Sequence, residues 1–282
     1  MILDLSPISA AAKAAAVPAD GDYIQDGILH CGQCHTPKQC YIPEIPGVIG
    51  ISGLQSCLCA CEEAKYEAEH QAWEANQRRK QIEQLRINGI SDRTIREYTF
   101  AADNGKNREL MAAAKRYADK WDRMYADNIG LLLWGNTGNG KTFAAACIAN
   151  ELMEKGVPVL VTSFARILNS LMGYSTGERN AYLDSLSAFK LLVIDDLGAE
   201  RQSAFALEQV YNVIDTRYKR RQPLIVTTNL TMSEMKKPQS MDYQRIYDRV
   251  LEMCIPMHFT GESQRKEHSA YKIQLARELL RD

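Results

Sequence analysis

Eight residues, Gly135-Asn136-Thr137-Gly138-Asn139-Gly140-Lys141-Thr142, follow the apolar run Ile129 to Trp134 and precede a helical pattern that begins at Phe143. Glycines at this spacing let successive backbone N–H groups point at one centre, where a helix N-terminus adds partial positive charge. Such a loop binds phosphate. Lys141 is expected to reach the β- and γ-phosphates of a nucleotide, and the Thr142 hydroxyl to bind Mg²⁺. Leu191-Leu192-Val193-Ile194-Asp195-Asp196-Leu197-Gly198 reads as an apolar strand ending in two acids. Asp195 is expected to hold Mg²⁺ through water and Asp196 to orient the attacking water. Asp196 stands where a Glu is commoner, and its shorter reach predicts slow hydrolysis. Asn229, closing the run Leu224 to Thr228, is expected to hold the water or sense the γ-phosphate, with Thr228 a weaker neighbour. Arg245 and Arg249 lie one helical turn apart, so in an assembly of copies they could reach the γ-phosphate bound by a neighbour.

These residues need a scaffold that brings them to one edge. Five short β-rich runs, Ile129 to Trp134, Pro158 to Thr162, Lys190 to Asp195, Pro223 to Thr228 and Ile255 to Phe259, alternate with helical patterns. Alternation of this kind implies right-handed βαβ units and a parallel sheet covered on both faces, with ligands beyond the carboxyl ends of the strands. The 282 residues suffice for such a core and a small second module. A net charge of −1 argues against chain-wide attraction to nucleic acid, so DNA contact must rest on a local patch or on assembly. No run approaches the roughly 20 apolar residues of a membrane span, and the opening lacks a basic n-region; the expected location is cytoplasmic, with no membrane partner.

Six of the eight cysteines lie between Cys31 and Cys61, in a stretch broken by prolines and glycines. Reduced thiols that bind a metal explain this better than disulfides. The expected organisation is a loose tail over residues 1–20, a cysteine-rich zinc-binding module over 21–62, a helical linker over 63–94 and an ATPase domain over 95–282. The linker helix, Glu62 to about Arg86, is polar nearly all round, with acids early and Arg78, Arg79, Lys80 and Arg86 late, an order that suits the helix dipole. A second helix is expected from Arg108 to Tyr125.

Taken together, GNTGNGKT, LLVIDDLGAERQS, IVTTN, RIYDRVLEM and TGESQRKE resemble the AAA+ ATPases of the DnaC/DnaI helicase-loader and IstB-like type, over about residues 95 to 270. The resemblance implies a five-stranded parallel P-loop αβα sandwich binding ATP and Mg²⁺. It matches Lys141 and Thr142 to Walker A, Asp195 and Asp196 to Walker B and Asn229 to sensor 1. Arg249 matches an arginine finger acting in trans within a homo-oligomer, and Arg265 a late arginine resembling sensor 2. About 53 residues follow Asn229, too few for a full C-terminal lid, as in this group. Tyr98-Thr99-Phe100 precedes the core where the adenine ring would lie, with Phe100 either a stacking residue there or an ordinary core aromatic.

The cysteine module is similar to the N-terminal zinc domain of these loaders, which docks on the replicative helicase. Cys31, Cys34, Cys59 and Cys61 are the favoured Zn²⁺ ligands, with Cys57, Cys40, His30 and His35 in reserve and an iron–sulfur cluster as the alternative. The resemblance implies a loader that delivers a replicative helicase to single-stranded DNA, with DNA contacts sought in Phe164 to Tyr182, where Arg166, Tyr174 and Arg179 mix charge with aromatics. The alternatives are an IstB-like transposition helper and a nucleotide-gated adaptor with little turnover.

Overall fold

The computed structural model describes residues 18–43, 53–199, 203–238, 240–261 and 263–280. Residues 1–17 of the expected tail and the Glu200-Arg201-Gln202 part of the second motif lie outside them. The chain divides into two compact units, residues 1–79 and 80–282. No helix among the described residues is long and apolar enough to cross a membrane.

In the first unit two short antiparallel hairpins, β1 (Tyr23–Gln25) with β2 (Ile28–His30) and β3 (Gln39–Ile42) with β4 (Gly53–Ser56), stand before helix α1 (Ala60–Gly89). Strands this short bury too little apolar surface to be stable alone. Polar ties supplement them: Asp22 accepts from the backbone N–H of Gly32 at 3.1 Å and pairs with Lys38 at 2.8 Å. Helix α1 crosses the division between the units. Gly89 is its single buried residue, so no apolar stripe explains it; Glu62 and Glu63 in its first turn and Arg86 in its last complement the dipole.

The second unit continues with α2 (Arg93–Arg96), α3 (Arg108–Asp119), α4 (Trp121–Ala126), β5 (Gly130–Trp134), α5 (Lys141–Glu154), β6 (Val159–Ser163), α6 (Phe164–Leu171) and α7 (Thr176–Ser185). Then come β7 (Leu191–Leu197), α8 (Ala204–Lys219), β8 (Leu224–Thr228), α9 (Met232–Lys236), α10 (Met241–Met253), β9 (Cys254–His258) and α11 (Gln264–Leu279). The five strands form one parallel sheet in the order β6-β7-β8-β5-β9. Adjacent strand residues face opposite layers. Leu131, Leu133 and Ile225 pack with Ile148 and Leu152 of α5 and Met111 of α3, while Leu132, Ile194 and Val226 pack with Ile214 of α8 and Val250 of α10. Burial on both faces is why the strands read as unbroken apolar runs.

The single helix expected from Arg108 to Tyr125 is two. Lys120 takes φ −102° and ψ 26°, and the Ala118 carbonyl that the break leaves without its helical donor accepts from Lys155 Nζ at 2.8 Å. Arg217 is a second feature the pattern does not announce. It is 1% exposed and donates to the carbonyls of Phe189, Lys190 and Pro223 at 2.7, 2.9 and 2.7 Å, tying the segments that enter β7 and β8. Burial lowers its guanidinium to about 10. Arg217→Met keeps the stem but strands three carbonyls, and we expect a loss of about 3 kcal/mol in urea unfolding, with Arg217→Lys intermediate. A loss of a few tenths would show that the segments hold without it.

Candidate nucleotide and metal sites

The phosphate loop leaves β5 at Trp134, whose indole stacks on the His258 ring of the neighbouring strand at 3.7 Å and 4°. Gly138 has φ 87°, and a β-carbon there would collide with the Ser263 side chain; one at Gly135 would collide with the Phe259 carbonyl. Loop and chain after β9 therefore touch directly, which only glycine permits. Asn139, 2% exposed, donates from Nδ2 to the Phe259 carbonyl at 2.7 Å, and its own carbonyl accepts from Asn107 Nδ2 at 2.9 Å. Gly140, at φ 95°, caps α5, so the helix begins at Lys141 with its N-terminus in the loop.

Lys141 Nζ donates to the carbonyls of Gly135 and Asn136 at 2.8 and 2.7 Å and to Asn229 Oδ1 at 2.9 Å. Thr142 Oγ1 donates to Asp195 Oδ1 at 2.8 Å, and Thr227 Oγ1 donates to the same oxygen at 2.6 Å. With its one proton given to Asp195, the Thr142 hydroxyl keeps its lone pairs for a cation. Thr227 also accepts from the backbone N–H of Asp196 at 2.9 Å. Between Ile194 and Leu197 strand β7 carries one residue more than β8 opposite, and Asp196 sits in this bulge at φ 58°. A bulge redirects a side chain, and Asp196 lines the cavity over the loop.

That cavity, about 580 Å³, is bounded by Thr137 to Thr142 on the phosphate side and by Tyr98, Asp103, Asn107 and Met111 on the other. Buried Asn150 fixes the second wall, donating to the carbonyls of Ile95 and Tyr98 at 2.7 and 2.9 Å. Phe100 packs against the core, with the Lys115 ammonium 5.6 Å from its ring, and the aromatics that line the cavity are Tyr98, Phe143 and Phe259. Lys272 of α11 reaches the cavity as well. Glycines, an ammonium, a hydroxyl and two carboxylates around a volume of this size fit a nucleoside triphosphate with Mg²⁺.

Two arginines stand elsewhere. Arg249, on α10, pairs with Asp215 of α8 at 2.8 Å and lies 4.5 Å from the Tyr211 ring; neither it nor exposed Arg245 lines the cavity. Arg265 falls in the first turn of α11, and its side chain is outside the described residues. Thr228 is buried and donates to the Leu197 carbonyl at 2.7 Å, a packing role. Thr227, Asn107 and Asn150 were not singled out from the sequence. Only Thr227 has a signal there, as the residue two before Asn229 on a strand that ends at the site.

In the first unit the sulfurs of Cys31, Cys34, Cys59 and Cys61 all lie within 4.8 Å of one another, with Cys31 to Cys61 at 3.6 Å and Cys59 to Cys61 at 3.2 Å. Zn–S bonds of about 2.3 Å in a tetrahedron put sulfurs about 3.8 Å apart, so these four thiols fit the ion. The reserves are occupied otherwise. His30 stacks on Tyr23 and bonds the Ile28 carbonyl at 3.0 Å, and the Cys57 thiol donates to the Pro37 carbonyl at 3.7 Å. Cys40 is exposed on β3, and the His35 ring is tilted against Tyr23.

Comparison with known proteins places this geometry. The replicative helicase loader DnaI of Bacillus subtilis (strain 168) is 31% identical over 150 residues, 48% of this chain and 47% of DnaI. The replicative helicase loader DnaC of Escherichia coli (strain K12) is 29% identical over 143 residues, 50% of this chain and 56% of DnaC. The chain thus spans about half the length of the curated relatives it matches. A crystal structure of DnaI superposes with a TM-score of 0.51 at 27% identity, over 62% of this chain and 94% of that one. The family profile described as "IstB-like ATP binding protein" matches residues 65–271. The chain belongs to the IstB-like ATP-binding family of AAA+ proteins, with the DnaC/DnaI helicase loaders among its relatives.

Proposed function

We propose that the protein is an ATP-dependent helicase loader, in which ATP controls assembly of copies around single-stranded DNA and the cysteine module grips a replicative helicase. One observation carries this reading: Lys141, Thr142, Asp196 and Asn229 line the cavity and Asp195 is bonded to Thr142, whereas Arg249 pairs with Asp215 and does not line it. Neither Arg245 nor Arg249 of the same copy lines the cavity, so on this reading the Arg249 guanidinium that meets a bound triphosphate comes from a second copy.

The roles follow from the contacts. Lys141 carries charge to the β- and γ-phosphates, and Asn229, already bonded to it, senses whether phosphate oxygens have taken that ammonium. Mg²⁺, when bound, neutralises the charge on those phosphates. Thr142 and Asp195 hold it; Asp196, turned into the cavity by the bulge, orients the attacking water. Arg249 of the next copy stabilises the charge that develops on transfer, and Arg265 follows as a further cation from α11. Cys31, Cys34, Cys59 and Cys61 hold Zn²⁺, which closes the short hairpins into a stable module. The division into tail, module over 21–62, linker over 63–94 and ATPase over 95–282 gives each function its own segment, working in the cytoplasm.

For DNA the surface at the end of α6 offers exposed Met172 and Tyr174, the edge-on pair Tyr174 and Tyr182 at 6.4 Å, and Arg179 at 5.0 Å from the Phe205 ring. Base stacking on such rings contributes about 1–3 kcal/mol. Tyr174→Ala should weaken binding of a fluorescent oligothymidine about tenfold and lower DNA-stimulated ATP hydrolysis, with ATP affinity unchanged. Unaltered DNA affinity would place the contact elsewhere, and no hydrolysis under any condition would favour a gated adaptor.

Co-purification tests the partner and the metal together. The intact protein should carry one Zn²⁺ per chain and retain the host replicative helicase. The Cys31→Ser, Cys34→Ser variant should lose both while still binding ATP. A transposase recovered in place of the helicase would instead favour the transposition-helper reading.

A further inference from the structure

Arg249 is held by more than one group. Its Nη2 lies 2.8 Å from Asp215 Oδ1, and its guanidinium lies 4.5 Å from the Tyr211 ring and 5.6 Å from the Tyr218 ring. The Tyr218 hydroxyl donates to Glu252 Oε1 at 2.9 Å, which fixes that ring. The hold is nevertheless incomplete. The Asp215 contact is close but off the donor's axis, and both Asp215 Oδ1 and Arg249 Nε are buried without a completed hydrogen bond. Nη1 reaches only the Arg245 carbonyl, at 3.4 Å. A buried donor left unmet favours any arrangement that supplies an acceptor.

The other oxygen of the same carboxylate carries a second cation: Lys219 Nζ lies 2.7 Å from Asp215 Oδ2. The Asp215 side chain is 12% exposed and that of Lys219 72%. Taking Arg249 away from a carboxylate so nearly buried would be costly if nothing else neutralised it. Lys219 does. The hydrogen bond that Lys219 donates to Asp215 in turn holds the Lys219 ammonium above its ordinary value.

We infer that Asp215 is a positioning residue for Arg249: it holds the guanidinium in the unassembled chain, yields it to a phosphate bound by a neighbouring copy, and keeps Lys219 as the cation that balances its charge after the handover. This rests on the proposed action of Arg249 between copies. Availability of Arg249 then limits assembly, because a group populated in its competent state for only part of the time binds with affinity reduced by that fraction.

The test is the protein concentration at half-maximal ATP-dependent self-association, measured by sedimentation alongside thermal melting. Asp215→Asn weakens the hold and should lower that midpoint about fivefold; Lys219→Gln leaves Asp215 without a successor partner and should raise it about twofold. In the Asp215→Asn background, Lys219→Gln should have no further effect. A purely structural Asp215 predicts lower melting temperatures, with the two midpoints moving together or adding independently, and either result overturns the handover. Lys219 is exposed, so its variant reports even where Asp215→Asn folds poorly. Arg249→Ala separates the layers: if it assembles like wild type, the reading of Arg249 fails and the handover with it. If it blocks assembly while the other two variants do not diverge, only the handover fails.

Discussion

Two hydroxyl groups meeting on one carboxylate oxygen hold the nucleotide end of the molecule together. Thr142 at the start of α5 and Thr227 near the end of β8 both donate to Asp195 Oδ1, at 2.8 and 2.6 Å, so phosphate loop, acidic strand and sensor strand share one acceptor. The same Thr227 receives the Asp196 N–H and so supports the bulge that turns that acid into the cavity. Displacing the acidic strand breaks both short bonds, and displacing either of the other elements breaks the one it makes to Asp195. Order in the nucleotide site is in this sense one property of the sheet edge and not several.

The remaining contacts extend that edge outward. Asn139 and Asn107 tie the loop to the segment after β9 and to the residue that precedes α3, while Asn150 holds the Tyr98 wall. Lys141 and Asn229 are joined directly, and on the proposed reading this contact passes a change at the phosphates to the strand end that leads into α9. On the proposed reading Arg249, which does not line this cavity, is the means by which one copy registers that another has bound ATP. On the same reading the protein works as a switch more than as a motor.

Much of this was legible in the residues. The phosphate loop, the two acids and Asn229 announce themselves because each sits at a strand end, and apolar runs bounded by turn residues are the strongest local signal a parallel sheet gives. The thiols Cys31, Cys34, Cys59 and Cys61 were legible for a similar reason, since short spacings bring sulfurs together whatever the rest of the chain does. Thr227, Asn107 and Asn150 were not, because a single polar residue acquires its partner only through contacts 32, 32 and 55 residues distant in sequence. Phe100 admits two readings in the sequence, stacking or core, and the 3-10 turn it begins packs it against the core, while Tyr98 two residues earlier also lines the cavity. The positive φ of Asp196 leaves no mark beyond the tolerance of Asp for that region.

The claim that an ATP site is completed by a second copy is tested most directly by mixing two inactive proteins. Lys141→Ala lacks the phosphate lysine but keeps Arg249; Arg249→Ala has the reverse defect. Each alone should hydrolyse ATP at background rate, and an equal mixture should recover about a quarter of the wild-type rate, the share of interfaces that randomly join an intact Lys141 to an intact Arg249. No recovery on mixing, or full activity of Arg249→Ala by itself, would contradict a site shared between copies.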